Sequence, residues 1–243
     1  MVPTPGLSVS PSFAGPDSGS ALVLTSSDAQ LPAWFETVAA EAWNAALEYT
    51  NGTPLSVGQQ RMVVEVPATY EAFKTAMGVS DDGLRSQAAL TWVTTTPVTD
   101  NWVEVSAPRV VVNPLWSDAL QPQDREAALL VLTHEAVHVA TGVRPSAEGR
   151  LWVAEGVAEY VALTVDAPAL AASEQLVASL CSAELRLPSD EDFRTSELAY
   201  DLSALLVKLA LETDDYTTLK LWWDGAGTPQ VTLAPLFTAW CES

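Results

Sequence analysis

A chain of 243 residues, 48% of them hydrophobic, is long enough to bury its own core, which excludes a disordered protein. Its formal net charge of −20 repels phosphate backbones, so we expect no nucleic acid partner. The charge favours solubility or, alternatively, a preference for basic substrates. No apolar run reaches the roughly 18 residues that a membrane span requires, so no transmembrane segment is expected.

The N-terminal 28 residues are predicted to be a flexible linker. Most of the first 20 residues are Pro, Gly, Ser or Thr, which is typical of linkers, and the segment lacks the basic and apolar regions of a signal peptide. A linker at this position suggests that a signal or an anchor preceded Met1. We therefore expect a secreted or surface-attached bacterial protein, followed from residue 29 to 243 by a single domain.

The elements that follow the linker change from mixed to purely helical character along the chain. Apolar spacing predicts a helix over 31–49. Strand-like and helical segments come next, at 61–68 (strand), 69–77 (short helix), 87–96, 101–106 and 109–114 (strands). Only Ala107 and Pro108 separate the last two strands, which suits a hairpin. Helices are then predicted over 124–142, 150–164, 168–183, 196–212, 216–222 and 231–241.

This order of elements predicts the α+β class, because strands precede helices instead of alternating with them. We expect a small N-terminal, mainly antiparallel sheet with a backing helix over 29–142, and a helical subdomain over 143–243. Two cysteines, Cys181 and Cys241, could form one disulfide in an exported protein or remain as two buried thiols. Neither cysteine belongs to a C-x-x-C motif, so a cysteine-based metal site has no support.

The segment THEAVHV (133–139) contains both histidines of the chain. On a helix, His134 and His138 lie one above the other on one face, so both rings can bind one ion. Glu135 lies about 100° round the helix, from which its carboxylate can reach a metal-bound water. This H-E-x-x-H pattern predicts two zinc ligands and a general base. The alternative is a helix that holds two histidines by accident, but its apolar flanks predict burial, where such side chains need partners.

A third ligand is expected, since catalytic zinc takes three protein ligands and one water. No third histidine exists, so a carboxylate must serve. In the helical segment LWVAEGVAEYVA (151–162) we assign Glu155 as that ligand, and Gly156 beside it allows close approach of another backbone. Glu159, one turn later, is predicted to accept the free N–H of a ligating histidine; alternatively, it faces solvent.

The two segments HEAVH (134–138) and WVAEGVA (152–158) together resemble the gluzincin zinc peptidases of the thermolysin-like clan. The W-x-x-E-G-x-A pattern is similar to aminopeptidase-type and related peptidase MA-like bacterial proteins. The resemblance implies a zincin-like fold, with Glu135 as the general base and Glu155 as the third ligand. It also implies a substrate-binding edge strand, which we place near 101–106, and an oxyanion donor. Tyr200 best matches that donor, with a core aromatic as the alternative.

These residues predict a monomeric zinc-dependent metallopeptidase that hydrolyses peptide or protein substrates. Zn²⁺ is the expected cofactor, bound by His134, His138 and Glu155. The alternatives are a catalytically degenerate zincin-like binding module and a zinc hydrolase acting on a non-peptide amide, whose carbonyl chemistry is the same.

Overall fold

The computed structural model describes residues 13–14, 21–26, 31–56, 61–80, 82–99, 102–142, 151–213 and 216–243. The strands are β1 (Phe13–Ala14), β2 (Ala21–Ser26), β3 (Arg61–Val66), β4 (Ala89–Thr99) and β5 (Trp102–Val112). The helices are α1 (Phe35–Thr50), α2 (Tyr70–Met77), α3 (Pro114–Ser117), α4 (Arg125–Thr141), α5 (Leu151–Thr164), α6 (Ala167–Val177), α7 (Asp192–Thr195), α8 (Leu198–Thr213), α9 (Tyr216–Trp223) and α10 (Pro229–Cys241). The predicted α+β class is confirmed, because all of these strands precede the long helical part of the chain.

The chain forms two compact units. The first comprises residues 1–48 and 57–143, and the second comprises residues 49–56 and 144–243. The strands belong to the first unit, and helices α5 to α10 belong to the second. Within the described ranges, none of the helices is both long enough and apolar enough to cross a membrane.

The sheet of the first unit has the strand order β1-β2-β3-β5-β4. Its outer pairs, β1 with β2 and β4 with β5, are antiparallel, whereas β2 with β3 and β3 with β5 are parallel. The expected mainly antiparallel sheet is therefore wrong, and the sheet is mixed. The reason is that α1 joins β2 to β3 as a helical crossover, and such crossovers connect parallel strands.

The linker prediction is wrong for residues 21–26, which form β2 and pair residue by residue with β3 from Ala21–Arg61 to Ser26–Val66. The segment ALVLTS is apolar enough to be a strand, and Leu22 is buried. The preceding Pro- and Ser-rich composition obscured this short strand. Apart from β1, the rest of the predicted linker lies outside the described residues.

The predicted hairpin at Ala107–Pro108 is also wrong, because residues 102–112 form the single strand β5. The pairing with β4 shifts between Trp92 and Thr94, so that Ala107 and Pro108 lie opposite one residue. This β-bulge tolerates the proline, which has no N–H to give to the sheet. The antiparallel turn falls instead between β4 and β5, where Thr99 pairs with Trp102.

Each unit has its own apolar packing. In the first unit, a core cluster of Phe73 and Met77 from α2 and Val111 from β5 is flanked by half-buried Leu90 and Trp92 of β4. Helix α1 buries an apolar face that includes Phe35, Val38, Ala42, Trp43 and Ala46. In the second unit, the rings of Trp152 in α5 and Trp222 in α9 are 5.8 Å apart.

The second unit is crosslinked by a disulfide between Cys181 and Cys241, which resolves the choice left open by the sequence. The bond closes a loop with a sequence separation of 60 residues. Because such a crosslink removes entropy from the unfolded chain, we expect the variant Cys181→Ser/Cys241→Ser to lose about 4 kcal/mol of its free energy of unfolding in urea. Reduction of the parent should have the same effect, and a parent indifferent to reductant would contradict the prediction.

Candidate metal centre

Helix α4 presents the H-E-x-x-H segment in a buried setting. The chain enters α4 from a 3-10 turn over Pro122–Asp124 and leaves it at Gly142, whose φ of 66° is a left-handed value that suits glycine. Every residue from Glu135 to Thr141 is buried, as the apolar flanks predict. Polar side chains in this stretch therefore require partners, and the histidines and the glutamate are the groups that a metal site would use.

The imidazole rings of His134 and His138 face each other through their Nε2 atoms. The Nε2 atoms of His134 and His138 are 3.1 Å apart, and the ring planes are inclined by 79°. Two nitrogens bound to a tetrahedral zinc at 2.0–2.1 Å are roughly 3.3 Å apart, so this spacing fits a shared ion.

Glu135 is held by a strand residue that sequence reasoning missed. The Oγ1 atom of Thr91 in β4 donates to Oε2 of Glu135 at 2.6 Å and lies 3.0 Å from the Glu135 carbonyl oxygen. Glu135 is only 7% exposed, so its carboxylate is largely removed from water. Alternation along β4 could have indicated that Thr91 faces away from Leu90 and Trp92. The sequence did not indicate that this face meets α4.

Glu155 lies in the second turn of α5, as predicted, and is half-buried. The role of Glu155 as the third zinc ligand, beside His134 and His138, stays a prediction. Two neutral imidazoles and one carboxylate form a donor set that suits a catalytic zinc.

Gly156, beside Glu155, lies where α5 packs closely against α8. A Cβ atom added at Gly156 would lie 2.7 Å from the carbonyl oxygen of Ser203, a distance that real Cβ atoms do not adopt. Neither the added Cβ nor the carbonyl oxygen of Ser203 can move independently of its backbone, so α5 and α8 would have to move apart. The glycine therefore fixes the packing of the helix that presents Glu155, as the sequence suggested.

Glu159 lies one turn after Glu155 on α5 and is half-buried. The charge of Glu159 acts on Asp201 of α8, in the same unit. Burial raises the pKa of Asp201 above its ordinary value, a hydrogen bond with Ser173 opposes this shift, and the negative charges of Glu159 and Glu197 add to it. The predicted role of Glu159, to accept the free N–H of a ligating histidine, stays a prediction.

Tyr200 lies in the first turn of α8, as predicted for the candidate oxyanion donor, and is half-buried. Its ring packs edge-on against Phe193, with the ring centroids 4.9 Å apart. This contact restricts the orientation of the Tyr200 ring and explains why an aromatic side chain suits this position. The predicted role of its hydroxyl group in catalysis stays a prediction.

The strand at the edge of the sheet is a different one from that predicted. Residues 102–106 belong to β5, which is paired with β4, and β4 is the strand at the edge of the sheet. The assignment near 101–106 is therefore wrong, because the turn precedes this segment instead of following it. β4 is also the strand that contacts α4 through Thr91.

Comparison of the chain with protein-family models finds no match, and comparison with curated proteins finds none either. The resemblance to gluzincins therefore depends on the two motifs and on the arrangement of their side chains.

Proposed function

We propose that this protein is a zinc-dependent metallopeptidase. The observation that supports it best is the buried helix α4, on which the Nε2 atoms of His134 and His138 lie 3.1 Å apart with Glu135 beside them. Glu155, on helix α5, is the carboxylate that we propose as the third ligand. Three protein ligands leave one position on the metal for water, which is the arrangement of catalytic and not of structural zinc sites.

A zinc ion held by these three side chains would lower the pKa of its water ligand to about 7 and would polarise the substrate carbonyl. Side chains of the protein carry out the remaining steps. Glu135 accepts a proton from the attacking water on its carboxylate and delivers that proton to the nitrogen of the leaving amine. The hydroxyl group of Tyr200 donates a hydrogen bond to the oxygen on which negative charge develops.

The peptide substrate is expected to add to the sheet as a further strand alongside β4. Among the described strands, β4 pairs with β5 alone, and the N–H and C=O groups on the other side of such an edge strand can bind an extended peptide. β4 presents this side while one of its own residues, Thr91, touches the proposed general base. This position favours peptides and proteins over other amides as substrates.

Metal analysis followed by digestion of a peptide library tests the proposal. We expect about one zinc per chain, loss of cleavage after removal of the metal with a chelator, and recovery when zinc is returned. A chain that binds no zinc, or that cleaves equally well with chelator present, contradicts the proposal. Zinc binding without any hydrolysis would indicate a degenerate binding module, and hydrolysis restricted to non-peptide amides would indicate the other alternative.

We also infer that the protein works outside the cytoplasm, as a secreted or surface-attached protein. The disulfide between Cys181 and Cys241 supports this inference, because such bonds persist in oxidising compartments and are rare where thiols are kept reduced.

A further inference from the structure

We propose that Thr91 is a positioning residue for the general base, so that the edge strand of the sheet sets the orientation of the Glu135 carboxylate. The inference rests on the proposed function, because it assigns to Thr91 a role in the same hydrolysis. Thr91 and Glu135 are 44 residues apart in the chain, and their contact joins β4 to α4.

The short distance indicates which acceptor receives the hydroxyl proton. A threonine hydroxyl group has one proton to donate, while two oxygens of Glu135 lie within reach of it. The 2.6 Å distance to Oε2 lies in the range of charge-assisted O–H···O⁻ bonds, whereas the 3.0 Å distance to the carbonyl oxygen is longer. The Thr91 hydroxyl group therefore donates its proton to Oε2 of the Glu135 carboxylate.

The strand holds Thr91 firmly in place. Thr91 pairs with Val110 of β5, whose side chain is fully buried, so the backbone on which the hydroxyl group stands is fixed by the sheet. Successive side chains of a strand point to opposite faces, and Leu90 and Trp92 pack on the core cluster with Phe73 and Met77. Thr91 consequently faces α4 and meets Glu135.

The hydrogen bond from Thr91 can orient the Glu135 carboxylate without preventing it from acting as a base. Two oxygens offer about four lone-pair sites, so a single hydrogen bond from Thr91 orients the group and leaves capacity to accept a proton from water. A glutamate side chain otherwise has several rotamers, and only some of them direct the carboxylate to the position of the water. Holding Glu135 in one of these productive rotamers raises the fraction of enzyme molecules in which the carboxylate can accept the proton.

The test compares Thr91→Val, which keeps the shape and removes the hydroxyl group, with Thr91→Ser, which keeps the hydroxyl group. We expect Thr91→Val to retain about one zinc per chain and to lower kcat by about 10- to 100-fold with little change in KM. Thr91→Ser should restore most of the kcat. Thr25→Val is the matched control, because Thr25 is a half-buried strand residue whose hydroxyl group donates at 3.3 Å to the Val64 carbonyl oxygen and does not serve the proposed site.

A second measurement does not require activity. The melting temperatures of the metal-free parent, Thr91→Val, Glu135→Ala and the double variant form a double-mutant cycle. We expect the shift caused by Thr91→Val to fall to less than about half of its size when Glu135 is absent, since the two residues share an interaction. A shift of equal size in both backgrounds would show that Thr91 acts on stability independently of the carboxylate, which overturns the inference.

The outcomes separate this inference from the proposed function. If the parent cleaves peptides with zinc and Thr91→Val leaves kcat unchanged, or raises only KM, the positioning role is wrong and the proposed function stands. If Thr91→Ser is as impaired as Thr91→Val, the hydroxyl group is not responsible, and the inference is again overturned. If the parent binds zinc but cleaves nothing, the proposed function fails and the positioning role fails with it.

Discussion

Replacing Glu135 with glutamine is expected to leave about one zinc per chain and to lower kcat by about 100- to 10,000-fold. Glutamine has the size of glutamate and can still accept a hydrogen bond from Thr91, but its neutral amide cannot take a proton from water. Because Glu135 is proposed as a base and not as a ligand, the metal should remain in place. Steady-state kinetics on a cleaved library peptide, with zinc analysis of the same sample, measures both effects.

The matched control for this substitution is Glu126→Gln in the first turn of the same helix, where the side chain is exposed. It makes the same chemical change on α4 at a distance of nine positions along the sequence, and its kcat should equal that of the parent. A Glu135→Gln variant that cleaves as well as the parent would show that the general base lies elsewhere.

Replacing His138 with alanine is expected to remove the metal and the activity together. His138 is 6% exposed, and its Nε2 atom is one half of the 3.1 Å pair with His134. Loss of a direct ligand should lower the affinity for zinc by more than the roughly 10- to 100-fold that loss of an outer partner costs. A zinc titration with a competing chelator measures the affinity, and cleavage of a library peptide measures the activity.

Val139→Ala is the matched control for His138→Ala. Val139 is the next residue of α4 and is fully buried, so its truncation removes core packing from the same turn. This variant should unfold more easily than the parent yet bind zinc with the affinity of the parent. Equal zinc affinity in His138→Ala and the parent would refute the assignment of His138 as a ligand.

The prediction of the buried helix succeeded because its signal is local. A largely apolar stretch of nearly five turns identifies α4, and Gly142 marks its end. His134 and His138 share a face simply because they are four residues apart on a helix. The position of Glu155 on α5 was predicted for the same reason, with Gly156 as evidence of the close contact that Ser203 provides.

The errors concern pairings between distant segments. The sequence predicts a linker at β2 because its six residues follow a Pro- and Ser-rich stretch, and they form a strand because β3 pairs with them in parallel. It predicts a break in β5 at Pro108 because a proline usually interrupts a strand, and the bulge that accommodates Pro108 depends on the pairing with β4. Neither pairing is visible in the local sequence.

The sequence by itself determined the α+β class, the helices and the spacing of the two histidines, the glutamate beside them and Glu155, because helical periodicity is a property of consecutive residues. Only the tertiary structure decided which strand forms the edge of the sheet, that Thr91 meets Glu135, and that Cys181 and Cys241 are paired. These contacts join residues 44 and 60 positions apart. Such contacts depend on how whole elements pack, which no local pattern of residues encodes.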